Sequence, residues 1–141
     1  MSWLAEALDD LREVSRRHTV MVGENSSEQD REQVGVELHE GVIQVVQQLG
    51  RLEGVTAAFA CQGDNVVEKE GFVPDFDNLA STTRSLRIGL DVASETFRLG
   101  GLGQTVLVGG QHKLAVMTIG DITLGVLTPA GVSLAQAMSL S

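Results

Sequence analysis

Apolar side chains recur at alternating intervals of three and four between residues 76 and 98, which predicts a long amphipathic helix. Asp75 or Asp77 can cap its start, and glycines 100 and 101 follow its end. We therefore expect one stripe of this helix to pack on the core of the protein. The members of that stripe are Phe76, Leu79, Thr83, Leu86, Leu90, Ala93 and Phe97.

The opposite side of this helix divides into two further faces, because successive residues are about 100° apart. The first is a charged ridge of Arg84, Arg87, Asp91, Glu95 and Arg98. The second, here called the small-residue strip, is mostly uncharged and consists of Ser81, Ser85, Ile88, Gly89, Val92 and Thr96. A helix that is packed on one side and solvated on the other does not need such a strip. The strip therefore predicts close contact with a second helix.

Two more helical patterns precede this one. Residues 2–17 place their apolar side chains on one face, with acidic residues early and arginines late, as the helix dipole favours. Ser27 begins a capping box, and an apolar stripe follows from there to residue 49. We predict a helix in each segment, and we interpret the first as an appendage docked on the core or as a docking or oligomerisation arm.

The segment between these helices has the composition of a connector. Thr19–Val22 has the pattern of a short edge strand, and residues 23–27 have the pattern of a turn. We therefore predict a helical arm and connector over residues 1–26 and one compact domain over residues 27–141.

Five short segments have the pattern of strands, two before the long helix and three after it. Glycine-containing turns separate the last three, which forces an antiparallel meander. Several strands are apolar on both faces, so helices should cover both sides of the sheet. The segments are residues 55–61, 66–68, 103–109, 112–119 and 121–127.

A last helical pattern spans residues 132–141. The element order after the arm is therefore α-β-β-α-β-β-β-α. This order predicts the α+β class: a single-domain α/β sandwich around a five-stranded antiparallel sheet, with the N-terminal helical arm added to it.

Composition excludes several classes of function. The net charge is −9 with no cluster of Lys or Arg, so we expect no nucleic-acid partner. No apolar run approaches the roughly 20 residues of a membrane span, so we expect no direct membrane insertion. The chain has one cysteine and no secretory signal pattern, from which we expect a cytoplasmic protein.

Residues with catalytic or ligating chemistry are present but lack the spacing that such chemistry needs. His18, His39 and His112 are far apart and have no second ligand near them in sequence. The glycine-rich pieces after the long helix lack the lysine of a phosphate-binding loop. Cys61 has apolar neighbours, which favours a buried, inert thiol. We expect no metal site, no cofactor and no catalytic residue.

Charged residues offer one further possibility. Asp64, Glu68 and Glu70, with Asp75 and Asp77, form a local acidic group that is either a solvated loop or a docking surface for a basic partner. On the long helix, Arg84, Arg87 and Arg98 are either solvated charges or candidates for an arginine finger. We therefore name Asp64, Glu68, Glu70, Arg84 and Arg87 as candidate partner-docking residues.

The element order and several short motifs resemble the Roadblock/dynein light chain family over about residues 36–140. Leu49-x-x-Leu52-x-Gly54-Val55 leads into the first strand, and Asp64 lies in the hairpin turn. After the long helix come Leu99-Gly100 and then Gly103-Gln104-Thr105-Val106. The segment from Gly120-Asp121 to Leu127 is similar to the family's last strand. The first 35 residues make this chain longer than a minimal member.

The resemblance implies a non-enzymatic homodimer or heterodimer in which the long helix and the strand after it meet their counterparts across a two-fold axis. Bacterial members are associated with small Ras-like GTPases as regulators or scaffolds, and eukaryotic members with dynein or membrane-associated signalling complexes. On this chain the implied dimer interface comprises Ser81, Ser85, Ile88, Gly89, Val92, Thr96, Thr105, Val106 and Val108.

We therefore expect a homodimeric regulator or scaffold for a small Ras-like GTPase. The alternative is a small-ligand sensor domain of the same architecture. A pocket lined by polar side chains on the inner faces of residues 55–61 and 112–119 would favour that alternative.

Overall fold

A computed structural model of the protein describes residues 3–23, 28–100 and 104–133. A 3-10 turn, Phe76–Asn78, directly precedes the third helix. The helices are α1 (Trp3–Gly23), α2 (Glu28–Gly50) and α3 (Leu79–Thr96), and the strands are β1 (Ala57–Gln62), β2 (Asn65–Gly71), β3 (Gln104–Val108), β4 (His112–Ile119) and β5 (Ile122–Pro129).

The strands form the five-stranded antiparallel sheet that the sequence predicts. Its strand order is β2-β1-β5-β4-β3, so β5 lies at the centre and β2 and β3 are the two edges. Ala58 pairs with Val126 of β5, and Val126 pairs with Ala115 of β4. All three side chains are buried in the same cluster, so this row of the sheet forms the floor of the main core.

Helices α1 and α2 cover that face of the sheet. Leu4, Leu8, Leu11 and Val14 of α1 belong to the same buried cluster as Val42, Val46 and Leu49 of α2. The two helices approach closely where Leu11 of α1 packs over Gly41 of α2, because a β-carbon at position 41 would collide with the leucine. Helix α1 is thus packed into the core along about three turns.

Among the described helices, α3 alone covers the opposite face. Its first residue, Leu79, packs in a second buried cluster with Phe59 and Cys61 of β1. The ring of Phe59 lies across Gly125 of β5, so closely that a β-carbon at position 125 would overlap the ring. Because α3 connects edge strand β2 to the opposite edge strand β3, it crosses the sheet.

Arg87 fixes the middle of α3 to the turn between β4 and β5. Its Nη2 donates to the carbonyl oxygen of Gly120 at 2.8 Å, and its Nη1 donates to Oγ1 of Thr123 at 3.3 Å. The guanidinium also pairs with Asp91 one turn later on α3, at 3.3 Å. This arginine therefore binds the helix to the sheet halfway along its length.

Three local predictions are wrong. Thr19–Val22 lies in α1, which continues to Gly23, and does not form an edge strand. The modest helix propensity of β-branched residues does not stop a helix that is already nucleated, because each added residue gains a hydrogen bond. The long helix begins at Leu79, after the 3-10 turn, and ends at Thr96. The residue that caps its start is Asn78, not the predicted Asp75 or Asp77, and neither Asn78 nor Asp75 makes a side-chain capping hydrogen bond.

Other predictions fall outside the described residues. These are the capping serine at position 27 and the part of the C-terminal helix from residue 134 onward. The division into an arm over residues 1–26 and a domain over residues 27–141 stays a prediction. Among the described helices, none is long and apolar enough to cross a membrane.

Replacing Gly125 with alanine should destabilise the protein. The added methyl group would displace the buried ring of Phe59, and overpacking of this kind costs about 1–3 kcal/mol. Gly110→Ala is the matched control, because nothing lies within 4 Å of a β-carbon there. Urea denaturation of both variants checks the prediction, and equal midpoints would show that the ring accommodates the methyl group.

Deleting residues 1–26 tests the predicted boundary. We expect residues 27–141 to melt cooperatively at a lower temperature, because α1 supplies four buried side chains to the core. Loss of cooperative melting in the shortened chain would mean that α1 belongs to the domain.

In the full chain, Leu8→Ala should lower the free energy of unfolding by about 2–5 kcal/mol, whereas Glu6→Ala on the exposed side of α1 should change it little.

Candidate interaction surface

The small-residue strip of α3 faces solvent along its whole length. Ile88 is 55% exposed, and Gly89 has open space in the direction of a side chain. Only Leu79, Thr83 and Ser94 of α3 are buried. All six predicted interface residues of the strip are thus accessible on one side of the helix.

Strand β3 adds a second accessible apolar segment. Val108 is 74% exposed, Val106 and Leu107 are also exposed, and Thr105 is half-buried. This edge strand has the sequence QTVLV and carries no charge. An uncharged edge with free backbone donors and acceptors can pair with another strand.

The other edge of the sheet is different. Strand β2 carries Glu68, Lys69 and Glu70, and its pairing with β1 contains a register shift beside Ala60. Charged side chains and β-bulges protect sheet edges against pairing with other chains. Of the two edges, β3 is therefore the one suited to an intermolecular contact.

The connection from α3 to β3 presents two more apolar side chains, which the sequence analysis missed. Phe97, predicted to lie in the core stripe, is 73% exposed, and Leu99 is exposed as well. Phe76, at the other end of the stripe, is also exposed. The stripe is shorter than predicted because α3 spans only Leu79–Thr96, so the periodicity does not hold at its ends.

The candidate docking residues do not form one patch. Arg84 and Asp64 pair with each other at 2.9 Å on the side of α3. Glu68 and Glu70 pair in register with alanines of β1 that face α2, so their side chains point to the opposite face. There Glu68 accepts a hydrogen bond from Gln47 at 3.3 Å, and Glu70 lies 3.5 Å from Arg51.

Arg87 is placed differently from the solvated charge that the sequence suggests. Its side chain is 24% exposed, and it is held by Gly120 and Thr123, as described above. A signal for this was available, because Thr83 and Leu90 of the apolar stripe are its neighbours one turn before and one turn after. An arginine bordering the buried stripe can reach back to the sheet.

A cleft of about 450 Å³ lies between α3 and the ends of β1 and β5. Thr83, Arg87 and Asp91 line it from the helix, and Cys61 and Thr123 line it from the sheet. Burial raises the pKa of the Cys61 thiol, and a hydrogen bond with Thr83 offsets part of that rise. The cleft is mixed in polarity, and no residue of 112–119 lines it.

Gln62 connects two further titratable residues, His39 and Asp121. His39 Nε2 lies 2.9 Å from Oε1 of Gln62, and Gln62 donates to Asp121 at 2.8 Å. In the part of the chain that the structure describes, no three His, Cys, Asp or Glu residues are grouped so that they could hold a metal ion.

Comparison with known proteins gives matches in structure. Neither the models of known protein families nor the curated proteins match this sequence. The Roadblock/LC7 domain from Streptomyces avermitilis superposes with a TM-score of 0.55 and 25% identity, covering 70% of this chain and 87% of that domain.

Two solved structures of MglB are also similar. Myxococcus xanthus MglB gives a TM-score of 0.60 at 16% identity, with 70% of this chain and 77% of that chain covered. The gliding protein MglB from Thermus thermophilus gives a TM-score of 0.60 at 16% identity, with 70% and 78% covered. At 16% sequence identity, the similarity to MglB is a similarity of fold.

The element order, the β2-β1-β5-β4-β3 sheet and the helices on both of its faces agree with the resemblance that the sequence motifs indicate. The structural likenesses confirm that resemblance, and the chain has the fold of the Roadblock/LC7 domain.

Proposed function

We propose that the protein is a non-enzymatic, homodimeric scaffold or regulator that binds a small Ras-like GTPase. The observations that carry the proposal are the exposed apolar side chains of α3 and those of edge strand β3 on a Roadblock fold. Exposed apolar surface of this kind is typical of protein–protein contact sites. The cytoplasmic location expected from the single cysteine is part of the proposal.

The small-residue strip is suited to contact with a second copy of itself. In an antiparallel pair centred between Ile88 and Gly89, the glycine of one copy would face the isoleucine of the other. Ser85 would likewise face Val92. Each larger side chain would meet a smaller one, and a two-fold interface requires such self-complementary surfaces. This pairing supports a homodimer.

The edge of β3 supports the same association. Two β3 strands that pair across a two-fold axis would join two sheets into one and satisfy the free backbone groups of both edges. Val106 lies at the middle of the strand and would lie close to the axis. The helix strip and the strand edge thus form two parts of one proposed interface.

The proposed role toward a GTPase is positioning. Arg84 is paired with Asp64, and Arg87 is held by Gly120, Thr123 and Asp91, so both arginines have partners within the chain. An arginine finger has to extend into the partner's active site. The internal pairing of these two arginines supports a regulator that would act by orienting groups of the GTPase itself. Arg98, which follows α3 and is exposed, stays a candidate for an arginine finger.

The cleft between α3 and the sheet is the observation that favours a second candidate, the small-ligand sensor. It meets the expected lining in part, because Cys61 of segment 55–61 lines it and no residue of 112–119 does. Its volume of about 450 Å³ is within the range of small-molecule sites. Arg87, Asp91 and Asp121 would supply polar contacts there. A ligand-induced rise in melting temperature would favour this candidate over the GTPase partner.

Substitutions on α3 test the dimer. Ile88→Glu or Gly89→Leu should weaken self-association by about tenfold or more, because each disturbs the centre of the proposed helix contact. Arg84→Glu, on the neighbouring ridge, should have a smaller effect, because exposed ion pairs contribute about 0–1 kcal/mol. Sedimentation equilibrium over a concentration series measures all three. Equal dimer fractions would remove α3 from the interface.

A change in β3 separates the two parts of the interface. Val106→Pro removes a backbone donor at the middle of the edge strand, and it should weaken the dimer if two β3 strands pair. Because proline can also disturb the pairing of β3 with β4 within the chain, circular dichroism must first show that the variant is folded. A folded variant that dimerises normally would contradict strand pairing.

Binding to GTPases tests the regulatory role. Purified small Ras-like GTPases, loaded with GDP or with a non-hydrolysable GTP analogue, are passed over the immobilised protein by interferometry. We expect at least one to bind with a preference for one nucleotide state. If the dimer is intact and none binds, the GTPase role is wrong and the dimer assignment stands.

A further inference from the structure

Helix α3 ends in a turn whose backbone conformation suits glycine but which carries an arginine. The amide of Leu99 donates to the carbonyl oxygen of Ser94 at 2.9 Å, and the amide of Arg98 donates to that of Glu95 at 3.3 Å. These two hydrogen bonds form a Schellman motif, in which the residue at the position of Arg98 is left-handed. Arg98 has a φ of 54°, and among the residues that the structure describes it is the only one besides glycines with a positive φ.

The arginine makes this turn less stable than glycine would. A residue with a β-carbon is strained in the left-handed conformation, and glycine is not. A cation near the C-terminal end of a helix does interact favourably with the helix dipole. An arginine within the last turn of α3 would gain the same interaction without the strain, so the dipole does not explain an arginine at position 98. Backbone strain of this kind is concentrated at functional sites.

Arg98 also differs from the other arginines in its lack of an acidic partner within the chain. Every other arginine whose side chain the structure describes lies within 3.9 Å of a carboxylate oxygen; these are Arg12, Arg16, Arg17, Arg51, Arg84 and Arg87. The side chain of Arg98 is exposed and makes no such pair with the described residues. In a chain with a net charge of −9, this guanidinium is available to a carboxylate of another protein.

Two exposed apolar side chains flank this arginine. Phe97 is 73% exposed and Leu99 is 57% exposed. Arginine and large aromatic side chains are enriched among the residues that dominate binding at protein interfaces. A guanidinium can bind a carboxylate through two parallel hydrogen bonds, which fixes the orientation of the pair. Because two backbone hydrogen bonds already hold the turn, its ordering on binding costs little entropy.

We propose that Phe97, Arg98 and Leu99, here called the α3 turn, recognise a surface carboxylate of the GTPase partner. The guanidinium of Arg98 forms a two-point pair with that carboxylate, and the two apolar side chains exclude water from the pair. The inference rests on the proposed GTPase binding and adds the residue and the chemical group that recognise the partner. A contact of this kind holds the partner in one orientation, which agrees with a regulator that acts by positioning.

Three variants of the full chain test the proposal, with interferometry against the GTPase that binds the unmodified protein. Arg98→Gly relieves the strain and removes the guanidinium, so it should raise the melting temperature by about 2–4 °C and weaken binding roughly tenfold. Arg98→Lys keeps the charge but lacks the planar fork, so it should also weaken binding. Arg16→Gln is the control, because it removes an exposed arginine of α1, and it should leave the affinity within about twofold.

Opposite changes of stability and affinity in Arg98→Gly, with an unchanged dimer fraction in sedimentation, would support the proposal. Unchanged affinity in that variant would overturn it and leave GTPase binding in place. An equal loss of affinity in Arg16→Gln would also overturn it, because binding would then follow net charge alone. Unchanged affinity with slower GTP hydrolysis at saturating protein would overturn it in favour of an arginine finger. If the unmodified protein binds no GTPase, the proposed function is wrong and this inference with it.

Discussion

The whole architecture depends on three central strands that are buried on both faces. Strands β1, β4 and β5 are apolar toward both sides, so the sheet is stable only between two layers of helices. The helices cover the two faces of the sheet unequally. Two helices, with four buried side chains from α1, close one face, whereas α3 closes the other with three buried residues and the anchor of Arg87. The same inequality leaves α3 with a wide accessible side, so the surface proposed for association follows from how the core is closed.

Close packing on the α3 face depends on one small residue. Gly125 allows the ring of Phe59 to lie flat across the central strand, where it joins Cys61 and Leu79 in a buried cluster. That cluster fixes the start of α3, and the hydrogen bonds of Arg87 to the β4–β5 turn fix its middle. The orientation of the helix is thus determined at two points, and its exposed strip is presented by a rigid support.

The sequence predicted the five-stranded sheet and the helices α1, α2 and α3 because each is defined by a repeat of apolar positions along its own segment. Strand 112–119 was predicted at its observed bounds, since turns on both sides and apolar residues on both faces define it. Features that depend on tertiary contacts were missed. Arg87 is partly buried because it reaches the β4–β5 turn, which is distant in sequence. Phe97 is exposed because α3 ends just before it, at Thr96. The candidate docking residues were separated because alternate residues of a strand face opposite sides of the sheet.

The two edges of the sheet differ in their capacity to pair with another sheet. One edge, β3, is uncharged and accessible, and the other, β2, is charged and irregular. A sheet in which both edge strands are free to pair can add subunits repeatedly and form a ribbon. A sheet with one such edge strand can form one pairing, after which that edge is covered. If two β3 strands pair as proposed, the uncharged edges of both sheets are covered, and the edges left exposed are the charged, irregular β2 strands.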